Sequence, residues 1–238
     1  MSMSARLMRI RKEERKYHEH TYDVHKLYKK GSWLHEPTEA VMEAFWEIGT
    51  GGGPLSILDL GCGVGRNSIP LAEKVRDKAG RVVCVDLLDK AIQKLREYGR
   101  RYGVGDTLAA EQSDISDFRF PPESFDYIVA ASSLEHVRTE KMLEEVLGRM
   151  AEGTKSGGVN CIVMHTSIEE YDERDGSRRE TLFEVVLDRD KALDKLRRAY
   201  AGWEELRVSD EPTEFPINRG DVPVRLKAVS VTFAVRKS

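Results

Sequence analysis

The chain has 238 residues, 40% hydrophobic and 33% charged, with 38 Lys and Arg against 41 Asp and Glu for a formal charge of -3. That length suits one ordinary domain with an appendage rather than two enzyme domains, and the charge balance does not favour duplex DNA or an anionic membrane as a partner. No run approaches the roughly 20 apolar residues of a membrane span, and residues 1–16 lack the apolar core of a signal peptide, so a cytoplasmic protein is the expectation. Cys62, Cys84 and Cys161 are odd in number and far apart in interior-like runs, which argues against a disulfide framework or a zinc site.

The first fifty residues read as helical, because Ala40, Val41, Ala44, Phe45 and Ile48 recur at helical spacing behind a Pro37-Thr38 start signal. Ahead of them, the charge run from Arg9 to Lys16 is expected to be a solvated helix face. Tyr17, His18, His20, Tyr22, His25, Tyr28 and Trp33 are expected to form a packed helical cover, with a lid over a ligand as the alternative. Residues 1–50 are therefore set apart as a helical extension or lid, ended by the glycine-rich run 49–54. From residue 55 short apolar runs alternate with amphipathic helices: strands over 55–60, 81–86, 107–113 and 126–131, helices over 67–78, 90–102 and around Met142 to Met150. Gly157-Gly158 leads into a fifth strand over 159–164. The polar stretch 166–180 reads as a mobile loop or lid, followed by a helix carrying Leu193, Leu196 and Tyr200. Two last strands, 204–208 and 224–235, flank a turn at 219–223 and are most simply antiparallel. The expected fold class over 51–238 is α/β, a seven-stranded mixed sheet with six parallel strands, the last antiparallel, and helices on both faces.

Ile57-Leu58-Asp59-Leu60-Gly61-Cys62-Gly63-Val64-Gly65 closes the first strand and opens a helix. Glycines there let the backbone turn sharply and approach a ligand in the crevice at the strand's carboxyl end, where open α/β sheets bind ligands. The second strand ends at Asp86, at the separation that sets a carboxylate on ribose hydroxyls, and Asp86 is expected to accept both. Asp114-Ile115 follows the third strand, where an adenine ring would lie on the apolar side chain and donate its amino hydrogens. Leu87, beside Asp86, and Ser132, after the fourth strand, complete the candidate cofactor contacts. The third glycine of a dinucleotide-binding loop would fall at Arg66, and the acid at Asp59 suits an ammonium group better than a pyrophosphate.

These residues closely resemble the class I methyltransferases that use S-adenosylmethionine. Asp59 with Gly61, Gly63 and Gly65 is similar to their first motif, Asp86 to their ribose acid, Asp114-Ile115 to their adenine pair, and Phe125-Asp126-Tyr127-Ile128-Val129 to the strand beside their reacting centre. The likeness spans residues 55–164. It implies a Rossmann-like methyltransferase fold, S-adenosylmethionine as cofactor with S-adenosylhomocysteine as product, and a small-molecule methyl acceptor, with neither nucleic acid nor membrane as partner. The oligomeric state is left open. Methyl transfer from a sulfonium mainly requires aligning the nucleophile and excluding water. Where the nucleophile must lose a proton, Glu135, His136 and His165 after the fourth and fifth strands are candidate bases, His136 and His165 being taken as catalytic. Glu135-His136 also resembles part of a Glu-x-x-Glu-His metal motif, but Ser132 replaces the first glutamate, so no metal is expected.

A narrower resemblance is to the tellurite-resistance methyltransferases. Residues 34–41 resemble the helix ahead of their core, Gly65-Arg66-Asn67-Ser68 their loop, residues 157–163 their fifth strand, and residues 203–205 and 225–237 their closing strands. That family methylates tellurite and selenium compounds and sometimes thiols. The resemblance implies a chalcogen oxyanion or thiol as acceptor, with Arg225 gripping the anion through paired hydrogen bonds. Glu214-Phe215 is followed by Pro216-Ile217 where the family carries a His-Arg pair, and Arg219, Arg178 or Arg179 are the available substitutes. The alternatives are a small metabolite with a hydroxyl, amine or carboxylate nucleophile, or a regulator that binds the cofactor without catalysis.

Overall fold

The computed structural model describes residues 4–49 and 53–238, so the domain boundary expected between residues 50 and 51 lies outside the described residues. The apolar runs are strands because both faces of the sheet are covered. β1 (Ser56–Leu60), β2 (Arg81–Asp86), β3 (Leu108–Gln112), β4 (Phe125–Ala131) and β5 (Thr154–Asp172) pair in parallel in the order β3-β2-β1-β4-β5. β8 (Val222–Arg236) lies antiparallel against β5, and β7 (Glu204–Arg219) antiparallel against β8. β7 therefore points the same way as the first five strands, giving six strands in one direction and β8 in the other. A two-residue β6 (Arg178–Arg179) hooks onto β5.

On one face α2 (Glu39–Phe45), α3 (Ser68–Val75) and α4 (Asp89–Arg101) set Val41, Ile69, Leu71 and Leu95 into one core with Ile57, Val82, Val129 and Cys161. On the other, α5 (Glu140–Gly153) and α6 (Arg189–Ala199) set Leu143, Leu147, Leu193 and Leu196 into a core with Leu58, Ile128, Ile162 and Phe233. Each such buried aliphatic side chain contributes about 1.5–3 kcal/mol. Among the described residues no helix is long and apolar enough to cross a membrane.

Residues 166–180 are not the loop or lid expected from their polarity. A bulge with Ser167 at φ 51 shifts the β5 register between Thr166 and Glu169, and the strand then runs on to Asp172 against β8. Past the bulge Ile168, Glu170 and Asp172 are buried, and the two carboxylates are met by Arg219 and by Arg174 and Arg179. β7 and β8 lengthen to match, joined by the two residues Gly220 and Asp221. Ile168, Phe183, Ile217, Val224 and Leu226 form a separate apolar cluster within this extension.

The N-terminal segment also departs from its reading. α1 (Ala5–Val24), capped by the Ser4 hydroxyl accepting from the Leu7 N–H, buries only Ile10, Thr21 and Tyr22 among its residues. It is docked by ion pairs: Arg15 with Asp89, Asp23 with Lys90, and Arg11 with Asp114 and Glu184. Arg11 and Glu14, within the run expected to be solvated, are mostly buried. Asp89, Lys90 and Asp114 follow the carboxyl ends of β2 and β3, so α1 lies across the crevice that the strand ends form.

Candidate functional site

The glycine loop leaves β1 held by the Gly61 and Cys62 N–H groups, which donate to the Val85 carbonyl at 2.8 and 3.0 Å. Gly61 has φ 78, and a Cβ on it would lie 2.3 Å from the Cβ of Ser133, whose hydroxyl donates to the Leu60 carbonyl at 2.7 Å. Only glycine lets the turn after β4 pack so closely on the loop. The Gly63 N–H donates to Asp86 Oδ2 at 2.9 Å, and the Leu88 N–H to Oδ1 at 2.8 Å. Asp86 is thus pinned at the end of β2 with lone pairs remaining on both oxygens; burial raises its pKa, with those two N–H groups opposing.

Asp59 is buried beneath the loop and accepts the Ser68 hydroxyl at 2.5 Å. Burial pushes its carboxyl up to about 6, against the pull of Ser68 and Arg66. Arg66, at the place of the missing third glycine, donates to the Trp33 carbonyl at 3.0 Å and to Thr38 Oγ1, while Asn67 Oδ1 accepts the Thr38 N–H at 2.9 Å. The Arg66-Asn67-Ser68 run therefore ties the segment before α2 to the loop.

Asp114 accepts the Ser116 N–H at 2.8 Å and meets Arg11 of α1 at 2.9 Å. Burial alone would raise its pKa, but the Ser116 N–H and the Arg11 charge hold it below the usual carboxylate range. Ile115 reaches the same turn, its Cδ1 3.5 Å from where a Gly61 Cβ would stand. Leu87 is exposed beside Asp86, and Ser132, at φ 53, donates its N–H to the Val163 carbonyl of β5 where β4 ends.

Two of the three candidate catalytic residues stand close to this crevice. Glu135 is fully buried in the short turn Leu134–His136, and its Oε1 lies 2.8 Å from His165 Nδ1. An ionised carboxylate only accepts, so Nδ1 donates, which in the neutral ring places the free lone pair on Nε2. Burial opposes ionisation of Glu135, but the His165 hydrogen bond keeps its pKa lowered. His136 instead sets Nδ1 3.1 Å from Glu184 and stacks on Phe183 at 5.0 Å. Burial would lower its pKa, yet Glu184 and Glu14 push it up to about 9, so at neutral pH it is an imidazolium rather than a base.

Arg225 is not brought to the crevice. It pairs with Tyr171 at the far end of the extension, where its half-exposed guanidinium lies 2.7 Å from both Glu173 and Glu214. Arg178 is 2.8 Å from Glu169, Arg179 2.9 Å from Asp172, and buried Arg219 2.6 Å from Glu170. Each arginine considered as an anion contact already faces a carboxylate. A cleft of about 550 Å³ on the extension, lined in part by Ile168, Val186, Leu187 and Lys227, borders none of the glycine-loop residues.

Sequence reading missed Arg11, Glu14, Glu170, Phe183 and Glu184. Glu14 and His18, four apart on one helical turn, were the available signal.

Residues 57–158 match a family model described as a methyltransferase domain. The chain is 31% identical over 131 residues to a sterol 24-C-methyltransferase of Eremothecium gossypii, a match covering 55% of this chain and 34% of that protein. A sterol 24-C-methyltransferase of Candida albicans is 28% identical over 133 residues, covering 56% and 34%. The chain thus spans about a third of the length of the curated relatives it matches. Among solved structures, TehB from Haemophilus influenzae superposes with a TM-score of 0.64 at 23% identity, over 92% of this chain and 67% of that one. A geranyl diphosphate methyltransferase in complex with GPP and sinefungin gives 0.59 at 14% identity, over 83% and 77%. These structural likenesses establish the fold.

Proposed function

We propose that this chain, whose residues 57–158 match a methyltransferase domain, is a class I S-adenosylmethionine-dependent enzyme that transfers a methyl group to a small molecule carrying a hydroxyl, thiol or amine. The observation that carries the acceptor class is the buried Glu135, just past the carboxyl end of β4, holding His165 of β5 just before its bulge.

The residues present fit the cofactor. A buried acid at Asp59 and Asp86 pinned at the end of β2 by the Gly63 N–H suit an ammonium and a ribose, and Gly61, where a Cβ would strike Ser133, keeps the loop folded between them. In this reading Asp59 holds the amino group, Gly61, Gly63 and Gly65 admit the ligand to the backbone, Asp86 and Leu87 hold the ribose, Asp114 and Ile115 the adenine, and Ser132 borders the methyl end. When bound, S-adenosylmethionine supplies a methyl carbon already activated by its sulfonium. Glu135 fixes the tautomer of His165 and stabilises the charge it gains, as a carboxylate does behind a catalytic histidine. His165 Nε2 accepts the proton that the acceptor loses as its new bond to carbon forms. α1, lying over the crevice, limits water there, which favours this transfer; that supports a lid role for the N-terminal extension.

A chalcogen oxyanion is the second reading, supported by the TehB fold likeness and the Gly65-Arg66-Asn67-Ser68 loop. The carboxylate partners of Arg225, Arg178, Arg179 and Arg219 favour a neutral acceptor over it. The test is incubation with methyl-labelled cofactor and a panel of small hydroxyl compounds, thiols, amines, tellurite and selenite, with label counted in solution and headspace. Soluble label that disappears in His165→Ala is the expected result. Volatile label from tellurite or selenite, undiminished in His165→Ala, would establish the second reading, and cofactor binding without turnover across the panel would point to a regulator.

A further inference from the structure

Glu14 and His18 stand one turn apart on α1, and His136 reaches them from the turn after β4. Their ligand atoms lie within 4.8 Å of one another: Glu14 Oε2 is 3.5 Å from His18 Nε2 and 4.0 Å from His136 Nε2. We propose that these three side chains form a site for a divalent transition-metal ion of the zinc type, which fastens α1 across the crevice.

Several observations bear on this. Two imidazoles and one carboxylate are the donor set of open, three-ligand sites for zinc, iron or cobalt. Tetrahedral donors about 2.1 Å from such an ion stand roughly 3.4 Å apart, so the observed triangle needs to contract by no more than about 1.5 Å. The outer contacts of His136 and Glu14 are already arranged. His136 turns Nδ1 to Glu184 Oε2 at 3.1 Å, leaving Nε2 toward the cluster, where the ion would take the place of the imidazolium proton, as in a metal-bound histidine held by a second carboxylate. Arg219 takes Glu14 Oε1 at 2.5 Å and leaves Oε2 facing the two rings. His18 turns Nε2 to Glu14 and is held by packing against Tyr17, Tyr22 and Trp33, its buried Nδ1 having no hydrogen-bond partner. Arg11 faces Glu184 and Asp114, and Arg219 faces Glu170 and Glu14 Oε1, so neither guanidinium takes Glu14 Oε2.

The ligands come from segments more than a hundred residues apart. The ion therefore bridges the N-terminal helix to the strand-end turn beside Glu135, and it holds whatever the methyl acceptor is.

The test titrates the full chain, without a histidine tag and after chelator treatment, with Co2+ and then Zn2+. One Co2+ per chain, with visible absorption displaced by Zn2+, is expected. His18→Ala and His136→Ala should weaken binding more than about 100-fold, and Glu184→Gln, which keeps all three ligands, about 10–100-fold. His20→Ala, on the exposed side of the same helix, should bind like the parent chain. Because loss of His18 could undock α1, Glu184→Gln serves as the variant that keeps the cluster intact. Absence of stoichiometric binding, or equal affinity in the parent, His18→Ala and Glu184→Gln chains, overturns the assignment and leaves a carboxylate–imidazolium cluster.

Discussion

Arg219 and Glu14 lie 205 positions apart in the chain, yet the guanidinium Nη1 stands 2.5 Å from the carboxylate Oε1. The same guanidinium meets Glu170, which is wholly buried, at 2.6 Å. One arginine on β7 thus neutralises an acid on α1 and another on β5, joining the N-terminal helix to the sheet extension. Removing it strands two carboxylates, and breaking such a buried arrangement costs about 3–5 kcal/mol. Arg219→Ala should lower the urea midpoint accordingly with little change in slope. Arg225→Ala should barely move the midpoint, because its pairs with Glu173 and Glu214 are exposed and screened, and it should leave methyl transfer unchanged. Equal losses in the two variants would contradict this division.

Asp59 sets stability against binding. Its carboxyl is raised from 3.8 to about 6 by burial. Between those pH values the folded chain holds a proton that the unfolded chain has released, so the group favours folding fully below about pH 4 and loses that contribution as pH rises through about 6. A tenfold change in proton affinity is worth about 1.4 kcal/mol, so Asp59→Asn should stabilise the cofactor-free chain at pH 8 by about 1–3 kcal/mol. The same change removes the anion proposed to hold the cofactor's ammonium, weakening binding by about 10–100-fold. In the parent chain cofactor affinity should fall about tenfold per pH unit below pH 6, and calorimetry from pH 5 to 8 reads both effects. A pH-independent affinity in the parent chain would remove Asp59 from the cofactor contacts.

The parallel half of the sheet was legible because its signals are local. Each strand is a short apolar run, and Asp59, Asp86 and Asp114 stand in or just past the last residues of β1, β2 and β3, so the topology alone brings them to one crevice. The extension was not legible, since Glu170 and Asp172 are buried on β5 but read as polar loop until Arg219, Arg174 and Arg179 are known to face them. α1 escaped for the same reason: it docks by charge rather than by an apolar stripe, and its partners Asp114, Glu184 and Arg219 are distant in sequence. Ionic registers of this kind leave no periodic trace in hydropathy.

Gly61 and Gly63 should respond differently to a methyl group. Both have positive φ, which costs an alanine about 1–2 kcal/mol. At Gly61 the new Cβ also meets the Ser133 Cβ at 2.3 Å, and overpacking adds about 1–3 kcal/mol. At Gly63 it meets only the Tyr22 hydroxyl, at 3.2 Å. Thermal melts should therefore rank Gly61→Ala well below Gly63→Ala. Adding Ser133→Gly should recover part of the Gly61→Ala loss, whereas Ser133→Ala, which removes only the Oγ 2.9 Å away and leaves the nearer Cβ, should recover less, and a purely additive double-mutant cycle with Ser133→Gly would show that the two Cβ atoms do not meet.

His165 and Glu135 test whether a proton is handled at all. If His165 Nε2 accepts the acceptor's proton, His165→Ala should lower kcat by about 10²–10⁴-fold while cofactor affinity stays within about twofold of the parent chain. Added imidazole should restore part of the rate in that variant, which the loss of a merely structural ring would not allow. Glu135→Gln removes the charge behind the ring but keeps its size, so it should lower kcat by about 10²-fold with little change in KM, because the carboxylate acts on the developing imidazolium rather than on the bound acceptor. The pattern matters more than either number. A thiol acceptor already ionised at the working pH needs no base, so turnover unaffected by His165→Ala at high pH, and reduced only as pH falls below the thiol's own pKa, would assign the proton to solvent and leave Glu135 and His165 as a packing pair.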